Sequence, residues 1–338
     1  MIKSNMTYPL IILGAGASYD YSVISKGIAP LTKDLISEPF IDVNLLNDYD
    51  DVANLLSSIA NQVKSGATTF EHALQDIKDG SEKLPHIRKQ FIALEFYLKK
   101  RFTDISLKSY PINNYKTLIE KIKRYNDGHA CVVTFNYDSF FERAYKQGGF
   151  QTMSDYTQDN LKIIKPHGSH DWLYINQKNQ YTRSENISDL ELYQNDPDFI
   201  SRLRGQTNPP DPYHEIYINK REASGSEAYA KFPAIAVPLQ EKQEHICPQK
   251  HFSVLETSIQ NADRILIIGW RAADKYFIDI LNKNLRNKVD ITCVAESSKS
   301  VHEIQNNLIR LNMIKKFNLV SSGFSGFVAG NDCVKIFA

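Results

Sequence analysis

Cysteine is scarce in this sequence, and its four copies stand far apart. They are Cys131, Cys247, Cys293 and Cys333, and no two of them form a C-x-x-C pair. Structural zinc sites and disulfide frameworks need closely spaced cysteines. The sequence therefore argues against a structural zinc site and against a disulfide framework, and it predicts a chain that needs no metal. This cysteine usage is typical of a reducing cytoplasm. We expect Cys131 and Cys293 to be buried thiols, because each lies in an apolar run.

Long apolar runs and an excess of charge are also missing. No stretch approaches the about 20 apolar residues that cross a bilayer, and the run Leu10–Leu13 is too short for a secretory signal. The formal net charge is +1, so no global field attracts nucleic acid or anionic lipid. We expect a cytoplasmic protein that binds neither a membrane nor nucleic acid directly.

The sequence does contain a series of short, continuous apolar runs. Unbroken runs of this length are typical of strands buried on both faces of a parallel sheet. Helical patterns separate many of them, and this alternation predicts an α/β fold with a Rossmann-like, doubly wound, mainly parallel sheet. The predicted strands are Pro9–Leu13, Ala130–Phe135, Lys162–Ile164, Ala234–Val237, Arg264–Ile268, Asp290–Ala295 and, at the end, Val334–Phe337. The predicted helices between and after the later strands are Tyr137–Lys146, His251–Ala262, Asp274–Asn284 and Ser300–Leu311.

Two long segments interrupt this alternation. Residues 33–128 separate the first two predicted strands by far more than an ordinary crossover, which predicts a helical insertion packed beside the sheet. Its apolar residues recur at helical spacing in Val52–Val63, Thr69–Ile77, Ile87–Phe102 and Tyr115–Arg124. Residues 176–231 are polar and contain the proline-rich stretch 209–212. They predict a surface excursion or lid.

A glycine turn follows the first predicted strand. Gly14 and Gly16 let the backbone turn sharply and approach a pyrophosphate, whose charge the exposed N–H groups stabilise. Ser18 adds a hydroxyl donor. The full G-x-G-x-x-G spacing is absent, so a plain strand-to-helix turn also fits. Asp20 suits either a helix N-cap or a ligand contact.

The segment TFNYD follows the second predicted strand. It places Thr134, Asn136 and Asp138 at the carboxyl edge of the sheet, where ligands bind in open α/β folds. The amide of Asn136 can hold both a ribose hydroxyl and an attacking water without a charge to desolvate. A purely structural role also fits Asn136, and Asp138 can serve as the N-cap of the next helix.

Two further loops carry chemistry-bearing residues. KPHGS places His167 where the chain leaves the third predicted strand, and a histidine there suits a general base or a ribose hydrogen bond as well as a structural role. Further on, Gly269 repeats the strand-then-glycine pattern, and Asp274 begins a helix that it can cap. Glu296 ends a later strand, where it can bind an adenosine ribose or lie in solvent.

Taken in order, these segments resemble the sirtuin superfamily, specifically its prokaryotic NAD-consuming branch. The matching pieces are GAGAS at 14–18 with APLT at 29–32, TFNYD at 134–138, PHGS at 166–169 and IIGWRAAD at 267–274. The resemblance implies one NAD-binding domain over residues 1–338. It implies that Gly14, Ala15, Gly16 and Ser18 bind the dinucleotide phosphates, that Asn136 and His167 face the nicotinamide ribose with Asp138 near the nicotinamide, and that Gly269 and Trp270 help hold the adenosine half.

The sequence departs from the protein-deacylating sirtuins in two places. It has no paired C-x-x-C motifs for their zinc ribbon, and YDYSVISKGIAPLT stands where they carry a proline–aspartate–phenylalanine–arginine segment. The branch it resembles hydrolyses NAD, often as the toxic effector of antiviral defence. The resemblance therefore implies a homo-oligomer that works with a partner ATPase or a sensor protein.

The residues leave three activities open. The first is an NAD hydrolase in which Asn136 orients water and His167 accepts a proton or binds a ribose hydroxyl. The second is a module that senses NAD or an ADP-ribose derivative without cleaving it, and the third is an NAD-dependent protein deacylase. We predict the hydrolase, because binding alone does not require both Asn136 and His167. Hydrolysis and cyclisation of NAD pass through the same transition state, so the sequence does not separate them.

Overall fold

A sheet of six parallel strands forms the centre of the protein. Its order is β3-β2-β1-β7-β8-β9, and a second, three-stranded antiparallel sheet has the order β5-β4-β6. The computed structural model describes residues 8–24, 30–31, 34–35, 41–81, 84–108, 113–176, 187–196, 214–218, 230–239 and 245–337. The strands are β1 Pro9–Leu13, β2 Ala130–Thr134, β3 Leu161–Ile164, β4 Gly168–Asn176, β5 His214–Ile218, β6 Lys231–Ile235, β7 Arg264–Ile268, β8 Val289–Val294 and β9 Ile314–Val320.

The strand order confirms the predicted doubly wound α/β fold. From β1 the chain builds β2 and β3 on one side, then returns to place β7, β8 and β9 on the other. Because parallel crossovers are right-handed, this reversal puts helices on both faces of the sheet. It also opens a crevice at the carboxyl ends of β1 and β7, the two strands where the order reverses.

Helices cover the sheet and fill the long segment between β1 and β2. The helix α9 packs against β2 and β3, while α11 packs against β8 and β9. The helices are α1 Ala15–Ile24, α2 Val43–Leu46, α3 Asp50–Lys64, α4 Phe70–Ser81, α5 Pro85–Lys108, α6 Asn113–Asn126, α7 Phe140–Tyr145, α8 Asp189–Asn195, α9 Gln249–Asn261, α10 Lys275–Asn284, α11 Ser298–Asn307, α12 Gly323–Ala329 and α13 Asp332–Phe337.

The five helices α2 to α6 lie within the segment predicted to be helical. In α3 the buried residues Val52, Leu55, Leu56 and Ile59 form one apolar stripe, which packs against α5. The helix α5 in turn packs against β4 and β6 of the second sheet, and α6 packs against α7 and α13. This region therefore joins the central sheet to the smaller one.

Two strand predictions were wrong. Ala234–Val237 was expected in the central sheet, but the chain there forms β6, which pairs antiparallel with β4. Val334–Phe337 was expected to be a strand, but these residues belong to α13, which buries Cys333, Ile336 and Phe337 on one side. Short apolar runs fit a strand or a buried helix equally well.

The segment 176–231 lies mostly outside the described residues. Within it the structure gives the helix α8, which packs against α5, and the strand β5, which pairs with β4. Among the described helices, none is long and apolar enough to cross a membrane. All four cysteines are free and buried, as predicted for Cys131 and Cys293, and burial raises the pKa of the Cys131 thiol to about 11.

Candidate functional site

A cavity of about 690 Å³ opens at the carboxyl edge of the central sheet. Its volume lies in the range of small-molecule binding sites. One wall comes from the loops that follow β1, β2 and β7, and the opposite wall comes from the helical region. The residues from these loops are Gly14, Ala15, Gly16, Ser18, Phe135, Asn136, Tyr137, Asp138, Gly269, Trp270, Arg271, Ala273 and Asp274, and those from the helical region include Val63, Thr68, Thr69, Phe70, Glu71 and Phe102.

The two glycine loops pack directly on each other. The Gly14 N–H donates to the carbonyl of Ile268 at 3.0 Å, and the Gly16 N–H donates to the carbonyl of Gly269 at 3.0 Å. A Cβ atom on Gly14 would lie 2.6 Å from the Gly269 oxygen, so only glycine allows this approach. Both N–H groups were expected to face a pyrophosphate, and here they join β1 to β7 instead.

Gly269 needs its glycine for conformation as well as for space. Its φ is +62°, and an added Cβ would lie 2.2 Å from the Ala17 nitrogen. Ala15 lies at the first position of α1, where the next two backbone N–H groups already have acceptors: the Gly16 N–H donates to Gly269 and the Ala17 N–H donates to Gly14 at 2.9 Å.

Asn136 is buried and its side-chain oxygen has no partner. The Asn136 Nδ2 donates to the Ser18 hydroxyl at 3.0 Å and to the Tyr115 hydroxyl at 3.4 Å. The Oδ1 atom is buried and accepts no hydrogen bond within the described part of the chain. A buried acceptor left without a donor costs about 1–3 kcal/mol. The site therefore holds a hydrogen-bond acceptor suited to a ligand hydroxyl or a water.

Asp138 belongs to the same hydrogen-bond network as Asn136 and Ser18. The Ser18 hydroxyl donates to Asp138 Oδ2 at 3.1 Å, and the Phe140 N–H donates to Oδ1 at 3.1 Å. Burial raises the pKa of Asp138, and the Lys165 ammonium opposes that rise. The N-cap residue of α7 is Ser139 and not Asp138, although Asp138 satisfies the first N–H of that helix.

His167 pairs with Asp274 across the cavity floor. The His167 Nε2 lies 3.1 Å from Asp274 Oδ2, and Asp274 Oδ1 accepts the Phe277 N–H at 2.9 Å. Asp274 therefore caps α10, as predicted. Since a carboxylate only accepts, a proton on Nε2 completes this contact. The imidazole also packs on Phe135, with ring centroids 4.8 Å apart.

A buried ion pair supports the loop that carries His167. Lys165 has no exposed surface, and its Nζ contacts Glu142 Oε1 at 2.8 Å and donates to the Asp138 carbonyl at 2.5 Å. Burial raises the pKa of Glu142, and the Lys165 charge opposes this. The pair thus fixes the loop after β3 against α7.

An ion pair at the edge of the cavity joins the loop after β7 to the helical region. The Arg271 Nη2 contacts Glu71 Oε1 of α4 at 2.9 Å. Arg271 is the one lysine or arginine among the described residues that line the cavity. Beside it, the Trp270 ring stacks on Phe135 with centroids 5.2 Å apart.

Most of the predicted site residues line this one cavity, although Thr134 and Glu296 do not. Thr134 is buried below it and its hydroxyl accepts the Asn136 N–H at 3.2 Å. Glu296 is exposed and lies outside the lining, where Glu303 of α11 is found instead. Asp20 belongs to α1, and its side chain lies outside the described residues.

Sequence reasoning missed several polar residues of the site. Tyr115 was part of the apolar stripe of a predicted helix, and nothing local distinguished its hydroxyl from that of another core tyrosine. Glu71, Glu142 and Arg271 resembled ordinary surface charges. Lys165 precedes Pro166 in KPHGS, and a lysine at the end of an apolar strand is the one signal that pointed to it.

Comparisons with known proteins show a similarity of fold alone. A search of protein-family models finds no match, and a search of curated proteins finds none either. Among solved structures, a mutant Sir2 homologue in complex with ADP ribose is 13% identical, with a TM-score of 0.44 over 97% of this chain and 90% of that one.

Two other sirtuin structures are similar to the same extent. A structure described as the basis for the mechanism and regulation of Sir2 enzymes is 12% identical, with a TM-score of 0.41 over 98% of this chain and 92% of that one. Sir2 with a p53 peptide and NAD+ is 12% identical, with a TM-score of 0.40 over 95% and 90%. No residue of this chain is assigned from them.

Proposed function

We propose that this chain binds NAD in the cavity and hydrolyses its nicotinamide–ribose bond, giving nicotinamide and ADP-ribose. The observation that carries the proposal is the Oδ1 of Asn136, which is buried and accepts no hydrogen bond from the described residues, in a cavity that also contains the His167–Asp274 pair. A ribose hydroxyl or a water supplies the donor that Oδ1 lacks. The order of the sequence motifs supports the same reading.

The reaction needs little from the protein, because nicotinamide leaves as a neutral molecule. The water oxygen bonds to ribose C1′ while the C1′–nitrogen bond breaks, and the bonding electron pair remains on the nicotinamide nitrogen. The proton of the water passes to the His167 imidazole, directly or through a ribose hydroxyl, and then to solvent. Asn136 holds the water and the ribose in line.

Asp274 makes His167 a better base. Its carboxylate accepts a hydrogen bond from Nε2–H, which fixes the ring orientation and favours the charged imidazole that forms during the reaction. The capping bond from the Phe277 N–H holds the carboxylate in turn. Arg271, which also lines the cavity, favours the ligand's diphosphate.

The test measures products from purified protein given NAD without an acylated peptide. We expect nicotinamide and ADP-ribose from wild type, and a roughly 10²–10⁴-fold lower kcat for both Asn136→Ala and His167→Ala. His170→Ala is the matched control, because His170 is equally buried but lies outside the cavity lining. Thermal unfolding of each variant checks the fold.

The same assay distinguishes the alternatives. Wild-type rates in both cavity variants would rule out the proposed roles of Asn136 and His167. Release that requires an acylated peptide would indicate a deacylase, and NAD binding without release would indicate a sensor. Cyclic ADP-ribose in place of ADP-ribose would indicate cyclisation.

We also propose that the protein works as a homo-oligomer in antiviral defence, with a partner ATPase or sensor that controls it. This proposal comes from the sequence resemblance, and unregulated loss of NAD would harm the host cell. Light scattering on the purified chain tests the oligomer. Loss of cellular NAD after phage infection, absent in a strain carrying His167→Ala, tests the role in defence.

A further inference from the structure

We propose that Tyr115 and Asp138 are positioning residues that lock the side-chain amide of Asn136 with its oxygen toward the ligand. The inference rests on the proposed NAD hydrolysis, because it explains how Asn136 is held for that reaction. Four side chains form the lock: Ser18, Tyr115, Asn136 and Asp138. All four are buried, and they come from α1, α6 and the loop after β2.

The direction of each hydrogen bond follows from what each group can donate. The Asp138 carboxylate cannot donate, so the single proton of the Ser18 hydroxyl goes to Oδ2. The contact of 2.9 Å between Ser18 and Tyr115 must then be a bond that the Tyr115 hydroxyl donates. With both hydroxyl protons used, Ser18 and Tyr115 face Asn136 as acceptors.

Two acceptors determine which end of the amide faces them. The Asn136 Nδ2 donates to Ser18 at 3.0 Å and lies 3.4 Å from the Tyr115 hydroxyl, and these two oxygens are 2.9 Å apart on the same side of it. A flipped amide would set Oδ1 against two oxygens without available protons. Oδ1 is therefore held away from the network, and among the described residues it has no hydrogen-bond partner.

The Tyr115 hydroxyl stays neutral and fixed in position, so it remains a hydrogen-bond donor. Its side chain is fully buried, and its ring packs between Phe141 and Phe324 with centroids 5.4 Å and 5.5 Å away. Burial and the nearby Asp138 charge raise the pKa of its hydroxyl well above the usual range. Because Tyr115 belongs to α6, the helical region helps to orient the Asn136 amide.

The sharpest variant is Asp138→Asn, which changes charge but hardly changes shape. The Phe140 N–H keeps an oxygen at the Oδ1 position, so the new amide nitrogen falls at the Oδ2 position and donates to Ser18. The hydroxyl proton of Ser18 can then point toward Asn136, and the direction of the hydrogen bonds in this network reverses. We expect at least a hundredfold lower kcat for nicotinamide release, with KM for NAD within about threefold of wild type.

Tyr115→Phe removes one of the two acceptors that face Asn136 and also the hydrogen bond that Tyr115 donates to Ser18. We expect about a tenfold lower kcat, again with little change in KM. Tyr97→Phe is the matched control, because Tyr97 is a buried tyrosine of the neighbouring helix α5 that lies outside the cavity lining and outside this network. Wild-type kcat in Asp138→Asn and Tyr115→Phe would overturn the lock.

A second measurement does not depend on turnover. In protein labelled with ¹⁵N-asparagine, the Asn136 side-chain signals are those lost in Asn136→Asp. We expect a slowly exchanging Nδ2 proton in wild type and in Tyr97→Phe, and faster exchange with shifted signals in Asp138→Asn. Unchanged signals in Asp138→Asn overturn the lock even if wild type releases no nicotinamide, whereas that inactivity alone contradicts the proposed function.

Discussion

A lysine without exposed surface is rare in folded proteins, and Lys165 is one. Removing a charge from water is costly unless a partner of opposite charge is close. Glu142 is that partner, and the Asp138 carbonyl takes a further bond. The pair lies next to the loop that carries His167, so its loss would affect the position of His167 as well as stability.

We expect Lys165→Met to lower the free energy of unfolding by about 3–5 kcal/mol, because it leaves the Glu142 carboxylate buried and unpaired. Urea unfolding measures the change. The double variant Lys165→Met with Glu142→Leu should recover much of the loss. Lys100→Met is the matched control, since its ion pair with Asp104 is largely exposed and should cost under about 1 kcal/mol. An equal loss in the control would contradict the buried-pair argument.

Individual site residues could be predicted only where the local pattern is distinctive. Asn136 and His167 follow buried strands directly, and residues in such positions meet at one sheet edge. Tyr115 comes from a helix that begins more than twenty residues before Asn136, and no local rule brings the two together. Its role depends on how α6 packs against the sheet, which is a tertiary property.

Among the secondary-structure elements, the strands that can be predicted from the sequence are those buried on both faces of the sheet. The strands β1, β2 and β7 are covered on both faces and read as continuous apolar runs. The strand β9 lies at one edge of the sheet, and its sequence IKKFNLV includes two exposed lysines and half-buried apolar residues. It was not predicted, because an edge strand needs no continuous apolar run.

The link between α4 and the loop after β7 also has a consequence for ligand binding. The Arg271 guanidinium is held by Glu71, so an anionic ligand and Glu71 compete for the same cation. We expect Glu71→Gln to tighten ADP-ribose binding by about three- to tenfold, and Arg271→Gln to weaken it similarly. Calorimetry at low and high salt measures both effects.

The opposite signs make this prediction easy to contradict. Weaker binding in Glu71→Gln would mean that the ion pair supports the ligand instead of competing with it. The double variant should behave as Arg271→Gln alone, because without the Arg271 guanidinium the Glu71 carboxylate no longer competes with the ligand for a cation. Lys335→Gln, which removes an exposed pair with Asp332 outside the cavity lining, is the control and should leave affinity unchanged.

For the whole molecule, the cavity lies between two regions that the ligand would join. ADP-ribose at about 100 times its Kd stabilises the native state by about 2.7 kcal/mol. For a chain of 338 residues this corresponds to a rise in Tm of about 4 °C. Asn136→Ala should show a smaller shift at the same ligand concentration, because it lacks the Oδ1 contact.

Hydrogen exchange adds a spatial readout to this measurement. The ligand should slow exchange in the start of α1 and in the loop after β7, and also in α4 across the cavity. A rise in Tm with slower exchange in α1 and the loop after β7, but not in α4, would contradict a site formed by both the sheet loops and the helical region. Inosine, which lacks the diphosphate, is the control ligand.

The position of β1 between β2 and β7 also bears on when the cavity can form during synthesis. The ribosome reaches the second neighbour of β1 about 250 residues after β1 itself, or roughly 12–50 s later at 5–20 residues per second. Until then Gly269 cannot meet the loop after β1, and His167 lacks Asp274. A nascent or prematurely terminated chain that ends before Asp274 therefore has no complete cavity. The activity that we propose would start only after translation has passed that residue.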